Sequence, residues 1–280
     1  MNGPLPRLSD ARLPLVHPVA ARDEKERGTA LHIPAERPLT VYLDGRELIT
    51  LMTLGAAPEA LVLGYLRNQR LLALGDIEAV QVTWDEAGAS GTAAVTTRAG
   101  VADLEERTAR RVVTTGCGQG SVFGTVMDEV DSIALPPGAR LRQGVIYRIV
   151  ETIRTQPSVY KQAGSVHGCG LFDNTGRLLH FVEDVGRHNA VDAIAGLMWL
   201  KGEAGGDKVF YTTGRLTSEM VIKGAQMGIP FLLSRSGTTE MGHAVAQRTG
   251  MTLLARCSGK HFMVLAAPQR IVFEPELLEP

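Results

Sequence analysis

Cysteine is scarce in this chain. Three residues in 280, Cys117, Cys169 and Cys257, carry no paired spacing. A disulfide framework is therefore excluded, and a reducing compartment fits better. There is no C-x-x-C, and the position two residues after His167 is Cys169 rather than a glutamate. Zinc nucleobase deaminases carry H-x-E with a later P-C-x-x-C, so the missing set counts against a zinc hydrolase. Long apolar runs are also missing. Nothing reaches the roughly 20 residues that a membrane-spanning helix needs, and the opening Met1-Asn2-Gly3-Pro4-Leu5-Pro6-Arg7 lacks the apolar core of a signal peptide. A cytoplasmic protein with no membrane partner is the expectation. Charge of one sign is missing as well. The 29 Lys and Arg against 30 Asp and Glu leave a formal charge of -1, so no strong field draws the whole surface to nucleic acid. Any anion site must be local.

What is present is an ordinary globular composition, 44% hydrophobic and 21% charged, long enough for one large domain or two small ones. Residues 1–37 are rich in Pro, Ala, Arg and Asp with little periodicity, and read as a mobile arm. Residues 38–138 read as a small α+β domain. It opens with strand-like runs at 39–43 and 48–52 around Asp44-Gly45, a hairpin signal. Pro58 and Glu59 then start a helix with Leu61, Leu63, Leu66 and Leu71 on its buried face. Strands follow at 79–84 and 92–97, then a short charged helix near 103–110 and a strand running into Cys117. Pro136-Pro137-Gly138 marks the boundary. Residues 139–280 read as an α/β domain: a helix over 141–155 striped by Val145, Ile149 and Ile153, a strand pair at 165–172 and 178–182, and then helices at 187–200, 216–227 and 239–249. These helices alternate with strands at 208–212, 230–233, 251–255 and 262–265. Such alternation on short loops implies a layered sheet with helices on its faces.

Several stretches carry chemistry. Thr115-Gly116-Cys117-Gly118-Gln119-Gly120 places a thiol in a sharp glycine turn. Unshielded N–H groups there favour a thiolate and let a partner approach. The plain alternative is a small apolar Cys in a turn. Glu183-Asp184-Val185-Gly186-Arg187-His188-Asn189 falls between a strand and a helix, where open α/β sheets bind ligands. Arg187 and His188 are its candidate ligand groups, although Asp184 could equally cap the helix and Arg187 form a surface ion pair. His167 and Cys169 are better read as packed or hydrogen-bonded side chains than as metal ligands. Loops 212–219 and 234–240 each bring hydroxyls, N–H groups and an arginine, Arg215 or Arg235, to a helix N-terminus. That suits an anion as well as a plain cap. Arg256-Cys257-Ser258-Gly259-Lys260-His261 joins the last two strands, with three basic groups and a flexible glycine. It reads as a phosphate or guanine-nucleotide rim, or as a solvated hairpin tip.

Taken together these motifs resemble the FdhD family of formate dehydrogenase accessory sulfurtransferases, over nearly all of the chain after the arm. The likeness rests on Arg37-Pro38-Leu39-Thr40-Val41 with Asp44-Gly45, on 164–172, on Glu183-Asp184-Val185-Gly186-Arg187-His188-Asn189-Ala190-Val191-Asp192, and on Gly214-Arg215 with Ser218-Glu219-Met220-Val221. The resemblance implies a fold similar to cytidine deaminase without its zinc, hence no structural metal. It implies sulfur transfer from a cysteine desulfurase, through a persulfide on Cys117, to the molybdenum or tungsten bis-pterin guanine dinucleotide cofactor that enters formate dehydrogenase. GDP would mimic the nucleotide end of that cofactor. Residues Arg256, Cys257, Ser258, Gly259, Lys260 and His261 match the family's cofactor-binding segment, and a homodimer is implied. Many members read Cys-Gly-x-Cys-Gly at the loop, whereas Gly120 stands at the second cysteine position here. Cys117 then works alone, or Cys169 or Cys257 assists. The missing thiol also keeps open a chaperone that binds the cofactor without a covalent step. A zinc deaminase relative ranks last.

Overall fold

The computed structural model describes residues 4–101 and 130–277. It begins with strands β1 (Arg7–Leu8), β2 (Val16–Arg22), β3 (Gly28–Pro34), β4 (Arg37–Leu43) and β5 (Arg46–Thr53), helix α1 (Pro58–Asn68), and strands β6 (Ile77–Trp84) and β7 (Gly91–Thr97). From residue 130 onward come β8 (Leu141–Arg142), α2 (Gln143–Thr155), α3 (Val159–Ala163), β9 (His167–Asp173), β10 (Leu178–Asp184) and α4 (Arg187–Leu200). Then follow β11 (Lys208–Thr212), α5 (Ser218–Gln226), β12 (Phe231–Ser234), α6 (Glu240–Thr249), β13 (Thr252–Ser258), β14 (His261–Ala266) and β15 (Ile271–Val272). The α/β class expected from the alternation is what the chain forms. Cys117, the glycines around it, and the helix and strand expected before it lie outside the described residues.

The chain divides into two compact units. The first takes Met1–Leu104, Pro157–Gly168 and Val182–Leu200; the second takes Glu105–Gln156, Cys169–Phe181 and Lys201–Pro280. A single cut at residue 138 misses this interleaving. The reason is a helix pair far apart in sequence. A Cβ on Gly64 of α1 would lie 1.6 Å from the Asp192 carbonyl oxygen of α4, and one on Gly196 would lie 1.9 Å from that of Ala60. Only bare backbone permits this approach. Asn68 Nδ2 donates to Asp192 Oδ1 at 2.7 Å, and Arg67 donates to the Ala195 carbonyl at 3.1 Å. The α4 pattern is therefore the complement of α1, more than a hundred residues earlier.

In the first unit the sheet order is β1-β6-β7-β4-β5. Asp44 and Gly45 both have positive φ, +48° and +81°, the two-residue turn that suits the twist of β4 and β5. Leu39, Val41 and Leu43 alternate into the core, the two-residue period of a half-buried strand. Residues 4–37 are not a loose arm. β1 pairs in parallel with β6, and β2 pairs with β3 from Val16↔Pro34 to Arg22↔Gly28. Ser9 Oγ and Ala11 N donate to one Glu59 oxygen at 2.6 and 3.0 Å, and Trp84 Nε1 donates to the Ala11 carbonyl at 2.7 Å. Arg37, buried, donates to the carbonyls of Pro14, Leu54 and Gly88. The segment supplies acceptors to buried donors, which need partners. β3 stays almost wholly exposed, which is why no apolar period marks it.

In the second unit the sheet order runs β10-β9-β11-β12-β13-β14. β11, β12 and β13 are mutually parallel, with β9 and β14 antiparallel to their neighbours β11 and β13. One face packs on α2, where Val145, Ile146, Ile149 and Val150 meet Phe172, Val209, Tyr211, Leu233 and Leu254. α5 and α6 are the connections between the parallel strands, and α6 closes on Gly250 at φ +67°, a left-handed helix end that glycine takes without strain.

Candidate functional site

Parallel strands point their carboxyl ends to one edge of a sheet, and open α/β sheets bind ligands just beyond it. Here β11 ends at Thr212, β12 at Ser234 and β13 at Ser258. The loops that follow are pinned to one another. Arg235 N donates to the Thr212 carbonyl at 3.2 Å, Ser234 Oγ to the Gly214 carbonyl at 2.6 Å, and Leu216 N to the Gly237 carbonyl at 2.9 Å. Arg256 N donates to the Ser236 carbonyl at 2.9 Å. Arg215, Arg235 and Arg256 are exposed at these three adjoining strand ends, and among the described residues no carboxylate forms an ion pair with any of them. Two helices start here. Thr239 caps α6 by accepting from Gly242 N at 3.1 Å, whereas Thr217 makes no side-chain cap on α5. The first-turn N–H groups of α5 thus keep their positive end of the helix dipole unanswered by the cap residue. The sequence had singled out these loops separately; the sheet brings Arg215, Arg235 and the 256–261 segment together within one unit.

The 256–261 segment is a two-residue hairpin tip. Ser258 pairs with His261, and Gly259 and Lys260 form the turn, all of them exposed. Cys257 departs from the expectation. Its side chain is 1% exposed and belongs to the core with Leu233, Leu254 and Phe172. A bulge between Ala255 and Ser258 turns it inward. Burial pushes its thiol up to about 12, against a Ser234 N–H that favours the thiolate. It therefore offers no thiol to a ligand rim. Cys169 is fully buried on β9 and donates to Thr212 Oγ1 at 3.4 Å; the same hydroxyl oxygen accepts from Gly214 N at 3.1 Å. Neither cysteine can be the exposed second thiol. Thr212 as a tie between β9 and the Arg215 loop left no local signal in the sequence. Among the described residues, no three His, Cys, Asp or Glu side chains gather at metal-binding distances, and no helix is long and apolar enough to cross a membrane.

The 183–189 cluster, in the first unit, faces inward. Asp184 Oδ2 accepts from Thr53 Oγ1 at 2.5 Å and Leu54 N at 3.1 Å, while Oδ1 accepts from Gly186 N and Asn189 Nδ2, both at 2.9 Å. Asn189 Nδ2 also donates to the Met52 carbonyl at 2.6 Å. Glu183 accepts from Val159 N at 2.6 Å and Tyr160 N at 3.1 Å at the start of α3. Burial pushes both carboxyls up, opposed by these hydrogen bonds. Arg187 opens α4 half-buried, and His188 is 3% exposed. His188, a candidate cofactor-binding residue in the sequence, is therefore a buried side chain in the first turn of α4. His188, Asn189 and Ala190 are all buried in that turn, so polar and apolar side chains are covered alike.

Comparison with known proteins agrees with this architecture. Residues 34–272 match the model of the FdhD/NarQ family. The chain is 30% identical over 243 residues to the sulfur carrier protein FdhD of Bacillus subtilis (strain 168), covering 84% of this chain and 88% of that protein. It is 27% identical over 242 residues to the sulfur carrier protein FdhD of Listeria innocua, covering 85% and 91%. Among solved structures it is similar to a protein from Desulfotalea psychrophila assigned as a formate dehydrogenase accessory protein. The TM-score is 0.71 and the identity 28%, with 92% of this chain and 100% of that one covered. A match across 34–272, from the opening β4–β5 hairpin to the closing strand β15, places this chain in the FdhD/NarQ family.

Proposed function

We propose that this protein is a sulfur carrier that serves a formate dehydrogenase. In this reading it is a sulfurtransferase of low turnover. The Cys117 thiolate attacks the terminal sulfur of a cysteine desulfurase persulfide. A new S–S bond forms on Cys117, the donor S–S bond breaks, and the donor cysteine leaves as thiolate. The terminal sulfur then passes to a bound bis-pterin guanine dinucleotide cofactor, the protein's substrate: the S–S bond on Cys117 breaks, Cys117 leaves as thiolate, and a reduced, tetravalent molybdenum or tungsten centre of that substrate would supply the two electrons that make the sulfur a sulfide. Homodimers working in the cytoplasm complete the proposal. The names of its relatives support the carrier role. The observation that carries the cofactor portion is the convergence of Arg215, Arg235 and Arg256 on adjoining strand ends, beside an α5 N-terminus without a side-chain cap. Guanidinium groups and helix N–H groups suit the diphosphate of a guanine nucleotide, and Ser258, Gly259, Lys260 and His261 extend that rim. Holding the cofactor turns a chance encounter with the sulfur into a positioned one.

The burial of Cys169 and Cys257 sharpens the choice between a covalent carrier and a binding-only chaperone, because only Cys117 is left to hold sulfur. Intact mass measured after incubation with desulfurase and cysteine tests it. The parent chain, Cys169→Ala and Cys257→Ala should gain sulfur, and Cys117→Ala should not. Full activation of formate dehydrogenase by Cys117→Ala would leave the chaperone reading.

A further inference from the structure

Strands β2 and β3 form a ribbon that no third strand joins among the described residues. Its register is unbroken from Val16↔Pro34 to Arg22↔Gly28. The pairs His17↔Ile33, Val19↔Leu31 and Ala21↔Thr29 share one face, since side chains alternate along each strand. That face carries Leu31 and Ile33, 53% and 46% exposed, beside Val19 and Ala21. The other face carries Pro18, Ala20, Ala30 and His32, all exposed. From Pro18 to Ala21 and from Gly28 to Ile33 there is no Asp, Glu, Lys or Arg. Exposed strand edges are ordinarily guarded by such charges. In this ribbon they are confined to residues 22–27, at and around the turn.

A two-stranded ribbon is marginal in water by itself, yet this one is held at both ends. At the turn, Asp23 Oδ1 accepts from Lys25 N and Arg27 N, both at 2.9 Å, and Oδ2 accepts from Arg27 Nε at 2.6 Å. At the base, Ala35 N donates to the Leu15 carbonyl at 2.8 Å, and Arg37 donates to the Pro14 carbonyl at 2.8 Å. Leu15 and Val16 pack there against a small core with Val159 and Val166. The ribbon is thus ordered before anything binds it, which lowers the ordering cost of association. Its uncharged middle is left to solvent.

We propose that a second copy of this chain clasps the ribbon, and that each copy lends its ribbon to the other about a two-fold axis. Area decides between this occupant and an unlike partner. Seven residues in each strand, at about 3.4 Å each, and two strands about 4.8 Å wide give a face of about 240 Å². Clasping both faces of one ribbon then buries about 1,000 Å² over the two sides of the contact, below the roughly 1,200 Å² at which stable interfaces begin. Two reciprocal ribbons bury about 2,000 Å², which reaches that range. An uncharged ribbon also suits a partner whose ribbon is equally uncharged. This rests on the homodimer proposed above and assigns the surface that holds it.

The test is sedimentation velocity across dilution, with amide hydrogen exchange of the parent chain above and below its dissociation concentration. Amides between 17 and 33 should exchange about tenfold more slowly in the dimer. Leu31→Glu with Ile33→Glu, and separately Ala20→Glu with Ala30→Glu on the opposite face, should each weaken the dimer about a hundredfold. Both should melt as the parent does when diluted to monomer. Ribbon amides that exchange alike in monomer and dimer would overturn the role given to the ribbon and leave a dimer held elsewhere, a result that needs no variant to fold. Variants that dimerise as tightly as the parent would overturn it in the same way. Slowing of those amides only after a desulfurase or a formate dehydrogenase is added would overturn the second copy in favour of an unlike partner. A parent chain that stays monomeric at every concentration would remove the ribbon contact and the homodimer together.

Discussion

The 183–189 stretch of the first unit and the loops bearing Arg215, Arg235 and Arg256 in the second are both dense in polar groups, and the fold uses them in opposite ways. Asp184 answers four donors inside its own unit. The three arginines stand at strand ends with no carboxylate partner among the described residues. A polar group that is fully satisfied within the fold holds architecture, because losing it strands buried partners. A cation left in solvent at a strand edge stabilises little by itself and is available to a ligand.

Breaking the inward cluster should give the largest effect. Asp184→Ala leaves Thr53, Leu54, Gly186 and Asn189 without their acceptor, at a cost of about 3 kcal/mol or more, measured by denaturant unfolding. The comparison between the regions fails if that variant keeps its stability and loses GDP binding instead. Next comes Gly64→Ala, whose new Cβ would meet the Asp192 carbonyl at 1.6 Å and force α1 away from α4. About 2 kcal/mol of overpacking is expected, read from the same unfolding curve. On the outward side, Arg215→Ala and Arg235→Ala should each weaken GDP binding about tenfold, near 1.4 kcal/mol. Their stability should stay within about 0.5 kcal/mol of the parent, and the loss should be greater at low salt. The smallest expected effect concerns pH. Burial raises the Glu183 carboxyl above its ordinary value of 4.5. The folded chain therefore keeps that proton where the unfolded chain has released it. Its contribution is fully present below the ordinary value and is lost as pH rises through the folded one. Glu183→Gln should flatten the fall in melting temperature across that window, and an unchanged slope would show the carboxyl to be unperturbed.

Much of the local structure was legible in the sequence. Asp44-Gly45 announced a turn, Pro58 a helix start, and the run from 187 to 200 a helix that forms as α4 with those same bounds. Each is a matter of neighbours within a few residues. The interleaved units were not legible, because α4 is recognised as belonging to the first unit only through the bare backbones of Gly64 and Gly196. Nor was the role of residues 4–37, whose worth lies in accepting from Trp84 and Arg37. At the candidate site, the loops around Arg215 and Arg235 and the segment from Arg256 were marked by their composition. The inward turns of Cys257 and His188 were not.

Sequence alone determined most strands and helices of the described residues beyond residue 37, and that arginine-bearing loops follow three of the strands, since backbone preference and turn chemistry act over short spans. Which polar groups face water was decided only by tertiary structure. One extra residue in β13 reverses the side to which Cys257 points, and His188 is buried at the start of α4. Facing depends on register and on which surface returns to cover a residue, and both are properties of the folded chain as a whole.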